Sequence, residues 1–268
     1  FFFCILALLA TWAIVAPRRA LSQSTTVRWA NNIGLVFFNS FILRLVFPTA
    51  AVGMALVARE EDWGVLNYVQ LPYAFAVIVA VVALDFFIWL QHVMVHAVPL
   101  LWRLHRVHHA DLDYDVTTGA RFHPLEILLS MLIKFAVIVL LGPPVLAVIL
   151  FEILLNATSM FNHSNVRMPA SVDRVLRLFV VTPDMHRVHH SVEDDETNSN
   201  FGFNLPWWDR LFGTYRDQPR GGHGAMTLGI RTFRDRKSCA WLTGMLAMPF
   251  RGKISEYAIN RRQWESKQ

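Results

Sequence analysis

His105-Arg106-Val107-His108-His109 returns letter for letter as His186-Arg187-Val188-His189-His190. A third cluster, His92 and His96, lies just upstream of the first copy. Of eleven histidines in the chain, eight fall in these three short windows. On a helix, residues three and four apart share a face. The first histidine of each pentad therefore lies on one side with the other two, and His92 shares a face with His96. Neutral imidazole is a common ligand for transition metals. The bland reading is three unrelated sets of surface or core histidines. Two identical H-x-x-H-H pentads plus an H-x-x-x-H pair point instead to helices that deliver rings to a metal site from distant parts of the sequence.

Around these windows the composition is that of a polytopic membrane protein. The chain is 54% hydrophobic and 17% charged, with a mean hydropathy of +0.36, and it carries 20 Phe and 9 Trp. Phe1 to Ala16 is apolar throughout and is followed by Arg18 and Arg19, the reverse of a signal peptide's order. It is expected to be a transmembrane helix that lacks its first turn or so and ends at Pro17. Ile33 to Ala58 is a second apolar span, interrupted by Arg44 and Pro48. Leu71 to Trp89 is a third and runs straight into His92. Leu125 to Phe151 is broken by Gly142-Pro143-Pro144, a turn signal; the block is long enough for one kinked helix or a hairpin of two, and the hairpin is favoured. The expected fold is all-α, a polytopic membrane protein with four to five transmembrane helices and a cytoplasmic, histidine-rich helical cap. The expected division is 1–90 transmembrane helices, 91–124 first histidine segment, 125–160 helical hairpin, 161–215 second histidine segment and 216–268 basic cytoplasmic tail.

Loop charge sets the expected topology. Pro17 to Asn32 holds Arg18, Arg19 and Arg28 and no acid, which predicts a cytoplasmic loop. Arg59-Glu60-Glu61-Asp62 then falls on the opposite side. The third span and the hairpin bring every histidine cluster back to the cytoplasmic face. The formal charge is +5, but Arg216 to Gln268 holds eleven Lys/Arg against four Asp/Glu. A basic end of this kind suits anionic headgroups. Nothing else in the chain suggests a nucleic-acid-binding fold. Cys4 and Cys239 are expected on different sides of the membrane boundary, without a disulfide.

Asp85 sits two turns before His92 on the same helix face. A carboxylate within a spanning helix is costly, and its expected role is to accept a ring N–H from a ligand histidine. The alternative is pairing with Arg44 or solvent. Asp111-Leu112-Asp113-Tyr114-Asp115 is expected as a polar, acidic loop. Glu193-Asp194-Asp195-Glu196 is expected as a solvated acidic face, and Trp207 to Tyr215 as an aromatic patch with a charge pair. Pro124 suits the first turn of a helix, placing His123 at its entrance. His163 follows the hairpin's return. Both lie where the clusters lie, and both are candidate ligands.

The order H-x-x-x-H, H-x-x-H-H, isolated His, H-x-x-H-H resembles the fatty acid hydroxylase superfamily, also called the sterol desaturase family. Arg121-Phe122-His123-Pro124, Asn162-His163-Ser164-Asn165, Thr182-Pro183-Asp184-Met185-His186, Asn200-Phe201-Gly202 and Trp208-Asp209-Arg210-Leu211-Phe212-Gly213-Thr214-Tyr215 look like its pattern too. The match runs over residues 85–215. The resemblance implies an integral-membrane, non-haem di-iron enzyme that uses O2 to hydroxylate or desaturate a lipid: a sterol, fatty acyl chain, sphingoid base or alkylglycerol. It implies metal ligation by His92, His96, His105, His108, His109, His163, His186, His189 and His190, with His123 as a further candidate, and Asp85, Asp184 and Asn200 behind them. One departure is His92-Val93-Met94-Val95-His96, where the family often has Arg after the first histidine.

Ligand number agrees with this. Structural zinc closes its site with four ligands, whereas eight or more histidines suit two metals with positions left open for oxygen. Imidazole also binds zinc, so the count alone does not select iron. The sequence carries no G-x-G-x-x-G, P-loop or C-x-x-C-H. With no haem or nucleotide module of its own, electrons are expected from a ferredoxin, a cytochrome b5-type protein or a reductase, docked on basic residues such as Arg234, Arg236 and Lys237. The competing readings are a membrane metal-binding or transport protein, a membrane zinc hydrolase (no H-E-x-x-H is present) and a lipid-binding relative without catalysis.

Overall fold

A computed structural model describes residues 2–69 and 71–252. It is helical, with no strand among the described residues and only two isolated bridges, Pro17 to Val166 and Ser191 to Leu228. The helices that matter are α1 (Phe2–Val15), α2 (Thr25–Val46), α3 (Ala50–Glu60), α4 (Val65–Tyr68), α5 (Tyr73–Ala97), α6 (Pro99–His109), α7 (Pro124–Leu141), α8 (Val145–Asn162), α9 (Ala170–Leu176) and α10 (Pro183–His189).

Four stretches are long and apolar enough to cross a membrane: Thr25–Tyr68, Tyr73–Ala97, Pro124–Leu141 and Val145–Asn162. The second expected span is not one helix. Pro48 has no N–H to donate, and the chain breaks after Val46 into α2 and the shorter α3. The 14 residues of α1 rise only ~21 Å, short of a ~30 Å hydrocarbon core. Between α7 and α8, Gly142 closes α7 in the left-handed region at φ 60°. Its backbone lies against Gly64, so that a side chain on either glycine would collide with the other's loop. The Gly142 turn and the loop after α3 therefore share one end of the bundle. The histidines lie at the other.

Packing follows from the sequence. Ala51, Ala55, Ala58, Leu84, Ile138, Val148 and Phe151 form the core between α3, α5, α7 and α8. Prolines open α6, α7 and α10 at positions where a missing N–H costs nothing. Residues 216–252 do not trail away as a tail. Arg103 donates to Pro249 O at 2.9 Å, and Leu242 N donates to Asn31 Oδ1 at 2.9 Å, so this segment closes over α6 and α2. The remainder of the expected basic tail, from residue 253, lies outside the described residues.

Candidate metal centre

The last turns of α5 carry His92 and His96. One turn of chain later α6 presents His105, His108 and His109, the end of α8 presents His163, and α10 with its cap presents His186, His189 and His190. All nine rings are buried. They sort into two sets, His92, His96, His105, His109 and His189, and His108, His163, His186 and His190. Within each set, one ligand atom per residue lies within 4.8 Å of all the others.

Ring orientation says which atoms face inward. His92 Nδ1 donates to Phe201 O at 2.7 Å, His189 Nδ1 to Ser199 O at 2.7 Å and His163 Nδ1 to Ser159 O at 2.7 Å, and His105 Nδ1 meets Glu126 Oε1 at 2.6 Å. Carbonyl oxygens only accept, so His92, His189 and His163 carry their proton on Nδ1 and a lone pair on Nε2. Nε2 atoms converge between His92 and His105 at 3.1 Å and between His108 and His163 at 3.2 Å, and His92 and His189, both protonated on Nδ1, meet Nε2 to Nε2 at 3.0 Å. Lone pairs facing each other at this distance repel unless a cation sits between them. Two imidazoles bound ~2.1 Å from one ion at a right angle stand ~3.0 Å apart. His186 adds two buried ring nitrogens with no hydrogen-bond partner, and His190 Nε2 is a third. The donor set fits metal ions. Charge agrees: burial pushes His105 and His163 down to about 3, and holds His108, His109, His186, His189 and His190 well below the ordinary imidazole value. The rings are neutral at pH 7, the form that ligates.

The pentad letters divide the labour. Val107 and Val188 are buried in the core. Arg106 and Arg187 point away from the rings and fasten each pentad from behind. Arg106 donates to Met248 O at 2.5 Å and lies over Phe233, while Arg187 pairs with Asp184 and lies over Tyr114. The loop 198–201 aligns three rings at once, through Asn198 Oδ1 to His96 at 3.3 Å, Ser199 O to His189 and Phe201 O to His92. That loop is held by Asp209, which accepts from Phe201 N, Gly202 N, Trp89 Nε1 and Thr214 Oγ1.

Several expectations change. His123 stands in neither set. Its Nδ1 caps α7 by accepting from Leu125 N at 3.2 Å, and its Nε2 faces Leu246 O at 3.3 Å. Asp85 meets no histidine, Arg44 or solvent. It accepts from Trp208 Nε1 at 2.8 Å and Leu205 N at 3.3 Å, because its face of α5 points at the segment after Gly202 rather than at the rings. Asp184 bridges Arg18, at 3.0 Å, and Arg187. Asn200 donates to Met185 O at 2.9 Å, steadying α10 next to His186. The acidic loop is buried: Asp111 grips Arg28 at both oxygens and Asp115 meets the same guanidinium at 2.6 Å. Asp194 and Asp195 are ion-paired with Arg231 and Arg216, and Glu196 is buried, so this is no free acidic face. Asp209 ignores Arg210, whose guanidinium lies 3.9 Å over Tyr215. Glu126, Ser159, Asn198 and Ser199 were not foreseen as ring partners. Only Glu126 left a trace in the sequence, a carboxylate two residues into a helix that opens at the site.

A cavity of about 310 Å³ opens from the first set of rings into the bundle between α2, α5, α7 and α8. His92, His105 and Glu126 form its inner end, and Ile88, Ile127, Met131 and Leu155 line its walls.

Comparison with known proteins agrees with the site. The family model for fatty acid hydroxylase matches residues 77–214, about half of the chain. The chain is 31% identical over 73% of its length to the ornithine lipid hydroxylase OlsE of Rhizobium tropici, covering 56% of that protein. It is 30% identical over 59% of its length to alkylglycerol monooxygenase of Homo sapiens, covering 34%. It is 28% identical over 67% of its length to a very-long-chain aldehyde decarbonylase of Oryza sativa subsp. japonica, covering 70%. The chain thus spans about half or less of the length of the first two. No solved structure matches it. On its histidine pattern, its helical architecture and the family match, the chain belongs to the fatty acid hydroxylase family.

Proposed function

We propose that the chain is a membrane-bound, non-haem di-iron oxygenase that uses O2 to hydroxylate or desaturate a lipid C–H bond. The observation that carries this is the pair of buried histidine sets, with ring nitrogens facing inward, beside a largely apolar cavity within membrane-crossing helices. His92, His96, His105, His109 and His189 would hold one iron, and His108, His163, His186 and His190 the other. Bound there, two irons would supply the electrons and open positions needed to reduce O2. For hydroxylation the balance is R–H + O2 + 2 e⁻ + 2 H⁺ → R–OH + H2O.

The chain's own residues do the rest. Phe201 O, Ser199 O, Ser159 O and Glu126 fix ring tautomers and orientations, which raises ligand basicity. The apolar walls exclude water and hold an alkyl chain against His92 and His105. Electrons come from a partner such as a ferredoxin, a cytochrome b5-type protein or a reductase. Lipid reaches the cavity from the bilayer. We place the histidine end on the cytoplasmic side, on Arg18 and Arg19 of the loop between α1 and α2.

The test is metal analysis of protein purified without air, beside a His108→Ala/His189→Ala variant. About two irons per chain, lost in the variant, supports the reading, as does O2 uptake that requires lipid and reductant. Protein that folds, loads iron and consumes no O2 with any of the four lipid classes is a metal-binding protein instead.

A further inference from the structure

The far end of the cavity is not apolar. Lys134 Nζ meets Glu152 Oε1 at 2.5 Å across α7 and α8, and both side chains line the cavity wall. Beside them Gln91 Nε2 donates to Ser130 Oγ at 3.0 Å, joining α5 to α7. Glu126, Ser130 and Lys134 repeat every fourth residue and so form one stripe down α7. Lys134 lies just over two turns beyond Glu126, ~12 Å along the axis.

An ion pair within membrane-crossing helices is an expensive way to join two helices. Two apolar residues of similar volume do that job at no loss and often with a gain. A charged pair on a cavity wall is therefore better explained by what enters the cavity. The ammonium has three N–H groups, and the carboxylate has further lone pairs beyond the one hydrogen bond that joins them. The pair is also balanced in charge. A charged ligand group would leave a net charge among apolar helices, whereas a neutral oxygen function would not.

We infer that Lys134 and Glu152 bind a neutral hydrogen-bonding oxygen of the substrate, a hydroxyl or a carbonyl, while an apolar chain runs from there to the rings. This rests on the oxygenase reading and adds to it. The position oxidised is measured from that oxygen; the ~12 Å rise from Lys134 to Glu126 corresponds to about ten single bonds at the ~1.2 Å advance per bond of an extended chain.

The test uses the full chain in lipid nanodiscs and two alkyl probes of equal length. Each carries a diazirine about ten bonds from one end, and that end is a hydroxyl in one probe and a methyl in the other. Irradiation should label peptides holding Val95 and Phe203 about five- to tenfold more with the hydroxyl probe, the effect of one or two hydrogen bonds. Lys134→Met/Glu152→Leu should bring the two probes level, and Lys134→Gln/Glu152→Gln should keep the preference. Gln91→Leu/Ser130→Ala, on the same wall, should also keep it, and Lys134→Leu/Glu152→Met gives the reading where the first apolar pair does not fold. Equal labelling in the unaltered protein, a preference that survives the apolar variant, or stronger labelling by a carboxylate-ended probe overturns the inference. Labelling needs neither iron nor turnover, so a chain that consumes no O2 would sink the oxygenase reading and leave this result standing.

Discussion

At the scale of single residues, the site depends on groups that touch rings from outside. Glu126 sits 2.6 Å from His105 Nδ1. Glu126→Leu should weaken iron binding about 10- to 100-fold, whereas Glu126→Gln, which keeps an acceptor, should lose much less; competition with a calibrated chelator measures both. Asp209 reaches the rings at one remove. It is fully buried and holds two backbone N–H groups of the ring-aligning loop. Asp209→Ala leaves those donors unsatisfied, at a cost of roughly 3 kcal/mol, or a fall in Tm of about 6–12 °C. Thermal unfolding in detergent should show it, and a Tm within a degree of the parent's would refute the assignment. The histidines that form the two sets stood out in the sequence because crowding and helical spacing need no knowledge of the fold. Their partners did not, because Phe201 O, Ser199 O and Ser159 O are backbone groups that any residue supplies. Asp85 misled for a related reason. Two turns along one helix gives a face, but which neighbour meets that face is decided by chain far away in sequence.

At the scale of elements, the breaks are as informative as the helices. Gly-Pro-Pro announced the turn between α7 and α8, whereas Pro48, read as an interruption within one span, marks the break after α2. The fit of Gly142 to Gly64 could not be read, since it joins two loops far apart in sequence. A side chain on Gly142 would lie 2.2 Å from Trp63 O, on a backbone that L-residues adopt reluctantly. Gly142→Ala should cost roughly 2 kcal/mol or more, visible as a lower Tm and faster proteolysis in the loop after α3. The folded 216–252 segment was also hidden, because its basic residues suggest solvent while its apolar ones, Ile230, Phe233, Met245 and Met248, pack on Trp102 and Val107 of α6. Cys239 belongs to that packing. Its Sγ donates to Phe233 O, and burial pushes its thiol up to about 11. At pH 8 only ~0.1% is thiolate, so maleimide should leave Cys239 unmodified until the protein is denatured. Rapid labelling of native protein at this position would show that the segment does not close over α6.

At the scale of the molecule, the helices bring to one end of the bundle what the sequence spreads over about a hundred residues. Metal should therefore act on the whole fold. Stripping it leaves nine buried rings facing one another, and we expect Tm to fall by several degrees and to recover on adding iron back. The two donor sets are also interleaved. The first pentad gives His105 and His109 to one set and His108 to the other, and the second gives His189 to one and His186 and His190 to the other. Neither ion could then bind without fixing the helices that its neighbour also uses. With an ion in each set, loading would be cooperative, the ordering cost being met once for both. Native mass spectrometry of a half-saturated sample should accordingly show chains with two ions and chains with none, and few with one.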